Sequence, residues 1–202
     1  MTPKDYLSYT QIDMWLRHRE KYKRKYFYGE EVDDVNDFMI FGKKTALAIE
    51  TGEATGDEFF DMAVQLIPKY AIIEHEIRVP LITEHGTIDL LGKLDTFCPD
   101  SLKFREYKTG KSQWNQRRAD THMQLRHYQT MIYLKYQTLS PEIYLDWFET
   151  DKTDSGVNFT GKIKSFLVKI GLSEVLQYMA LAGKVAVEID KEYRQECKNL
   201  LN

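Results

Sequence analysis

The sequence predicts an α/β fold, a mixed central sheet flanked by helices. Three observations carry this. Segments in which Val, Ile, Leu or Phe alternate with polar residues recur through the chain, each short and bounded by turn residues. Around them lie longer segments with apolar residues at helical spacing. The 202 residues are 43% hydrophobic and 29% charged, an ordinary balance for a globular chain that can bury a real core. No internal repeat, low-complexity stretch or linker divides the chain, so one domain over residues 1–202 is expected.

The elements follow in order. Leu7-Ser8-Tyr9-Thr10-Gln11-Ile12 reads as a helix start, with Ser8 as N-cap, Gln11 completing a capping box and Leu7 against Ile12 as a staple. That helix is expected to run to about Tyr28 and stop at Gly29, burying Ile12, Trp15, Leu16 and Tyr22. Phe38 to Glu50 reads as a second helix. Thr55 to Pro68 reads as a third, with Phe59, Met62, Ala63 and Leu66 inward. Ile72 to Val79 alternates strictly, which puts Ile73, His75, Ile77 and Val79 on one strand face and Glu74, Glu76 and Arg78 on the other. After a central hairpin, Ser112 to Thr121 is polar and reads as a loop, and Asp120 to Tyr136 as a helix. Ile143 to Thr150 reads as a strand paired with Val157 to Ile170 across Asp154-Ser155-Gly156. Ser173 starts a last helix whose apolar stripe is Val175, Leu176, Met179, Val185 and Ile189.

Composition narrows the function classes. No apolar run approaches the roughly 20 residues that span a bilayer. The opening MTPKDYLSYT lacks the basic-then-apolar order of a signal peptide. An intracellular, cytoplasmic protein without a membrane partner is therefore expected. Cys98 and Cys197 stand far apart, form no metal-ligand pair and are expected as reduced thiols. The net charge is −3, so the whole molecule is no magnet for nucleic acid. Its distribution is uneven. Arg17, Arg19, Lys21, Lys23, Arg24 and Lys25 crowd one stretch, offset only by Glu20, and Glu30, Glu31, Asp33, Asp34 and Asp37 follow. Arg17, Lys21, Arg24 and Lys25 recur at helical spacing. This stripe suits a solvated face, or a face that tracks phosphates with Tyr22, Tyr26 and Tyr28 placed to stack bases.

The chemistry concentrates in Gly86 to Lys111, GTIDLLGKLDTFCPDSLKFREYKTGK. Apolar–polar alternation on both sides of Pro99-Asp100-Ser101 reads as two strands joined by a tight turn. Glu106 and Lys108, two apart, share a strand face, and the hairpin can bring Asp95 to them. Two carboxylates and an ammonium then converge. Carboxylate oxygens hold Mg²⁺ or Mn²⁺. Such a metal polarises a phosphoryl group and acidifies water, and a lysine can orient that water or stabilise developing charge. The same pattern also suits an exposed hairpin with charged alternation. Glu74 or Glu76 can approach the same place from an adjacent strand. Trp114, Arg117 and Arg118 follow the hairpin directly, where a substrate-contacting loop is plausible.

GKLD at 92–95, EYKTGK at 106–111 and QLRHY at 124–128 occur in the order G-x-x-D, (D/E)-x-K-T-G, Q-x-x-x-Y. The set resembles the PD-(D/E)XK nuclease superfamily, and within it the RecB-type nuclease domain with its phage exonuclease and CRISPR-associated relatives. The resemblance extends from about Leu7 to Trp147. It implies a restriction-endonuclease-like core and metal-dependent cleavage of DNA, at single- or double-stranded ends. It implies Asp95, Glu106 and the Tyr107 carbonyl as metal ligands and Lys108 as the group that orients or activates water. Gln124 and Tyr128 would support them, and the basic helix (Arg17, Lys21, Arg24, Lys25) and the Trp114 to Arg118 loop would hold the DNA. Where relatives carry G-x-x-x-H, this chain has Gly42 and then Ala46, leaving Glu50 one turn on as a substitute ligand. Several relatives hold an iron–sulfur cluster with cysteines. Here the corresponding WLRHREKYKRKY has none, so no cluster is expected. Exonuclease action in recombination, repair or phage replication is the expected role, with a recombination or CRISPR partner protein or a homo-oligomer as expected company. A structure-selective or CRISPR-associated endonuclease, and an inactive nuclease-like DNA-binding module, are the alternatives.

Overall fold

The structure is a computed structural model that describes residues 3–32, 36–154 and 156–201. A mixed six-stranded sheet forms its centre: β1 (Tyr6–Ser8), β2 (Ile72–Thr83), β3 (Gly86–Cys98), β4 (Lys103–Gly110), β5 (Ile143–Thr153) and β6 (Gly156–Val168). The order is β1-β3-β4-β5-β6, with β2 also paired to β3. β1 runs parallel to β3 and β4 parallel to β5; the other pairs are antiparallel. Helices α1 (Tyr9–Arg17), α2 (Arg19–Tyr26), α3 (Asp37–Thr51), α4 (Glu58–Leu66), α5 (Gln116–Asp120), α6 (Met123–Tyr136) and α7 (Leu172–Leu201) flank it. β5 alternates between two cores: Trp147 belongs to the larger, under α1, α6 and α7, and Phe148 to the smaller, with α3 and α4. Among the described residues no helix is long and apolar enough to cross a membrane.

Local chemistry explains most element ends. Ser8 caps α1 by accepting from the Gln11 amide. Gln11 does not complete a capping box. Its buried side chain donates to the Tyr6 carbonyl and accepts from the Tyr22 hydroxyl. The single helix expected to Tyr28 breaks at His18 (φ −142°, ψ 58°). The break lets Arg19 lie over the Trp15 ring, 4.2 Å from its centroid, and reach Glu188 on α7. α2 ends before Gly29, whose φ of +72° suits glycine. Leu16, expected inside, is 46% exposed, whereas Ile12, Trp15 and Tyr22 are buried.

Phe60, Val64 and Ile67 are the buried residues of α4 and its end; Ala63 packs inward with them as expected, and Met62, also expected inward, points to solvent. The helix is shorter than expected because Asp57 caps it. The side chains of Phe59 and Leu66 and the turn residue Ser155 lie outside the described residues, as do Asp33 and Asp34. β2 continues through Pro80 to Thr83, which a strand paired on one side tolerates. The segment expected as a loop after β4 contains the short helix α5, capped by Asn115. On α7, Leu176 is exposed, and Tyr178 and Ala182 take the buried positions beside Val175, Val185 and Ile189.

The arrangement that positions everything else is a split in the sheet. β3 pairs with β1 at Asp89 to Leu91 and with β4 only from Thr96 to Cys98. Between them, Gly92 to Asp95 has no strand on that side. Helix α6 covers the gap: His127 Nε2 donates to the Leu91 carbonyl at 3.0 Å and the Tyr128 hydroxyl to the Lys93 carbonyl at 2.7 Å. Gly92 permits the approach, since a Cβ there would lie 2.4 Å from Met131 Cε and 2.9 Å from Tyr128 Cε1.

Candidate active site

Where β3 and β4 diverge, the Asp95 carboxylate replaces the missing ladder partner. Its Oδ2 accepts from the Tyr107 amide at 2.6 Å. Glu106 and Lys108 project from β4 on one face. Lys108 Nζ donates to Glu106 Oε1 at 2.5 Å and to Gln124 Oε1 at 2.8 Å. Gln124 Nε2 donates in turn to the Tyr128 hydroxyl at 2.7 Å, which is anchored on Lys93. One hydrogen-bonded chain thus fixes the lysine from β3 through α6. The structure therefore brings Asp95, Glu106, Tyr107, Lys108, Gln124 and Tyr128 together.

Two buried carboxylates and one ammonium set the electrostatics at the split in the sheet. Burial, and then the Glu106 carboxylate, push Asp95 well above the usual carboxylate range, against the Tyr107 amide and Lys108. Burial works against the charge on Lys108, yet Glu106 and Asp95 outweigh it and hold its pKa above the ordinary value. Burial and the same carboxylates push the Tyr128 hydroxyl up, keeping it a neutral donor. Glu106 is 2% exposed, and its Oε2 is buried with no hydrogen-bond partner. An ionised oxygen in that state is costly and calls for a cation. Among the described residues no three His, Cys, Asp or Glu side chains converge as a metal-ligating group. The two carboxylates that stand here, Asp95 and Glu106, fit the needs of Mg²⁺, an ion that keeps several waters and uses one or two carboxylates.

A cavity of about 240 Å³ opens beside Asp95, with Lys108 and Thr109 on one wall and Gly42, Thr45 and Ala46 of α3 on the other. Ala46, at the histidine position of the relatives' motif, does face it. Glu50 does not line it and is exposed, because the cavity face of α3 is 42, 45, 46 and 49 and residue 50 lies past its edge. Glu74 does line it. Glu74 lies between the paired residues Ile73 and His75 of β2, with φ 56°, the left-handed region, and is paired to Lys93. Sequence alternation put Glu74 and Glu76 on one face. Of the two, Glu74 lines the cavity, and its left-handed backbone has no sequence signal of its own.

Of the other expected DNA contacts, some are exposed and others are buried or paired within the chain. Trp114 is 5% exposed, so its ring cannot stack a base; Arg118 lies over it at 4.1 Å. Arg117 and Arg118 are exposed. Tyr22 is fully buried. In the basic stripe, Arg17 pairs with Asp13 at 2.8 Å and Arg24 with Glu30 at 2.6 Å. Lys25 lies near the Tyr26 ring, and Lys21 is half-buried. Arg19 and Lys23 take Glu192 of α7, so much of this helix clamps α7. Near the site, burial followed by the charges of Lys108, Arg118 and Arg17 pushes His122 down to about 3. Positive charge from three elements therefore converges there.

No family model matches the chain, and no curated protein matches its sequence. Solved structures do share its fold. The chain is similar to a candidate exonuclease from Eubacterium rectale, with TM-score 0.60 and 10% identity over 95% of this chain and 82% of that one. It is also similar to the protein SSO0001, with TM-score 0.53 and 12% identity over 91% of this chain and 76% of that one. At these identities the likeness concerns the fold.

Proposed function

We propose that this protein is a metal-dependent deoxyribonuclease of the PD-(D/E)XK type, acting as an exonuclease on DNA ends. The observation that carries the reading is the buried, unpartnered Glu106 oxygen beside Asp95 and Lys108. The fold it shares with a candidate exonuclease agrees with it. Asp95, Glu106 and the Tyr107 carbonyl would hold Mg²⁺ or Mn²⁺, which supplies Lewis acidity toward the scissile phosphoryl group and acidified water. The chain's own contribution is positioning. Glu106 and Gln124 hold Lys108 Nζ in one place, where it donates to the attacking water or to a non-bridging phosphate oxygen. Tyr128 fixes the Gln124 amide and so the orientation of the lysine. Neutral Tyr128 and the α6 cover keep bulk water from the carboxylates, strengthening each contact.

The test is digestion of end-labelled single- and double-stranded DNA in Mg²⁺ or Mn²⁺, with covalently closed circles beside the linear DNA. Loss of linear DNA with circles intact supports an exonuclease. Cleaved circles replace it with the endonuclease reading. A second reading, a nuclease-like module that binds DNA without cutting it, is favoured by Ala46 on the cavity wall. Binding without cleavage in either metal would establish that one.

A further inference from the structure

A second chamber opens on the far side of Lys108. It holds about 430 Å³ and is lined by Phe38, Lys108, Lys111, Ser112, Trp114 and Arg118. Lys108 and Thr109 also line the cavity beside Asp95, so one strand segment forms a shared wall between the two spaces. No lining residue is acidic. Lys111 bonds Asp151 at 2.7 Å with 68% of its side chain exposed, a pair that solvent weakens. Arg118 contacts the Ser112 and Gln113 carbonyls, and among the described residues no carboxylate pairs with it. Phe38, on the first turn of α3, lines the same chamber as these cations.

We propose that this chamber seats the nucleotide next to the scissile phosphate on an unpaired DNA strand. Lys111 and Arg118 take its phosphate, and Phe38 stacks its base. A chamber of this size has room for one nucleotide. A basic groove that also offers an aromatic ring is how single strands are held without sequence preference. This rests on the nuclease reading and narrows its substrate to a single-stranded end.

Trp114 lines the chamber and reports on it, whereas Trp15 and Trp147 do not line it. The experiment is a tryptophan-fluorescence titration in EDTA with a short oligothymidylate and with a blunt duplex of equal length. The oligothymidylate is expected to change the signal, and Trp114→Phe to abolish the change. Lys111→Gln should weaken binding about 3- to 10-fold and reduce the log K against log salt slope by about 0.7, the value for one single-strand phosphate. Phe38→Leu should weaken binding with the slope kept, since stacking carries no counterion. An unchanged affinity in both Lys111→Gln and Phe38→Leu, or duplex bound as tightly as the single strand, overturns the chamber. The two readings fail separately. Chamber binding without cleavage in any metal leaves the chamber standing and removes the nuclease. Normal cleavage and binding by both variants removes the chamber alone.

Discussion

Two carboxylates share one lysine at the split in the sheet, and each residue there is under opposed forces. Burial and Glu106 raise the cost of charge on Asp95, and the Tyr107 amide offsets only part of it. Asp95→Asn keeps an acceptor for that amide and removes the crowding. It is expected to cut cleavage by about 100-fold or more, as loss of preorganised charge does elsewhere. Without metal, its melting temperature should equal or exceed that of the wild type. Near-normal turnover in Mg²⁺, or a large drop in melting temperature, would sink the assignment. Lys108→Ala should cost a similar factor while leaving metal affinity, read by isothermal titration, nearly intact. Asp95, Glu106 and Lys108 were legible in the sequence because strand alternation puts alternate residues on one face and a hairpin pairs two strands. Glu74 was legible only as one of two candidates, because alternation puts Glu74 and Glu76 on one face and the cavity takes Glu74. Glu50 read as a ligand because helical spacing sets a face to within a turn, and the cavity ends one position short of it.

At the scale of elements, α6 serves as the missing neighbour of β3, and His127 is one of its fasteners. His127 is fully buried; Nε2 donates to Leu91 and Nδ1 accepts from the Tyr178 hydroxyl, so the ring is neutral. Burial pushes its pKa down to about 4. The unfolded chain takes up that proton below about 6.5, the folded one only below about 4. The contribution is therefore complete above pH 6.5 and lost as pH falls toward 4, at about 1.4 kcal/mol per pH unit. His122, pushed down to about 3, acts in the same direction. Urea midpoints at pH 7.5, 6 and 5 should fall steeply for wild type and less steeply for His127→Gln. Parallel slopes would remove His127 from the linkage. Gly92→Ala tests the same packing, since its Cβ would meet Met131 and Tyr128. It should cost about 1–3 kcal/mol, and Met131→Ala should recover part of that in a double-mutant cycle. Helices and strands were legible from periodicity, but which side of α4 faces inward was not. Its apolar residues are nearly continuous, and the sheet, absent from a one-helix reading, chose Phe60 over Met62.

For the whole molecule the question is which charges meet DNA. The basic run between Arg17 and Lys25 stood out in the sequence, but its partners could not, because Glu188 and Glu192 lie on α7 at the other end of the chain. The folded stripe carries its own counter-charges. Arg17 holds Asp13 and Arg24 holds Glu30. Exposed pairs of this kind are worth little, so phosphates can displace the carboxylates. The carboxylates nevertheless stay close and repel the same phosphates, which reduces the net counterion release. Changing Arg17, Lys21 and Arg24 together to Ala would flatten the salt slope by about 2.7 if each met one duplex phosphate, at about 0.9 each. With at least two of the three cations locally neutralised, the expected change is below about 1. Lys111→Gln, whose carboxylate partner does not line the second chamber, is expected to change the slope nearly as much alone. Binding of a fluorescent DNA with a single-stranded end, measured across salt by anisotropy, compares the two. A triple-variant loss above about 2 would return the helix to the DNA-facing side and make the chamber the minor contact.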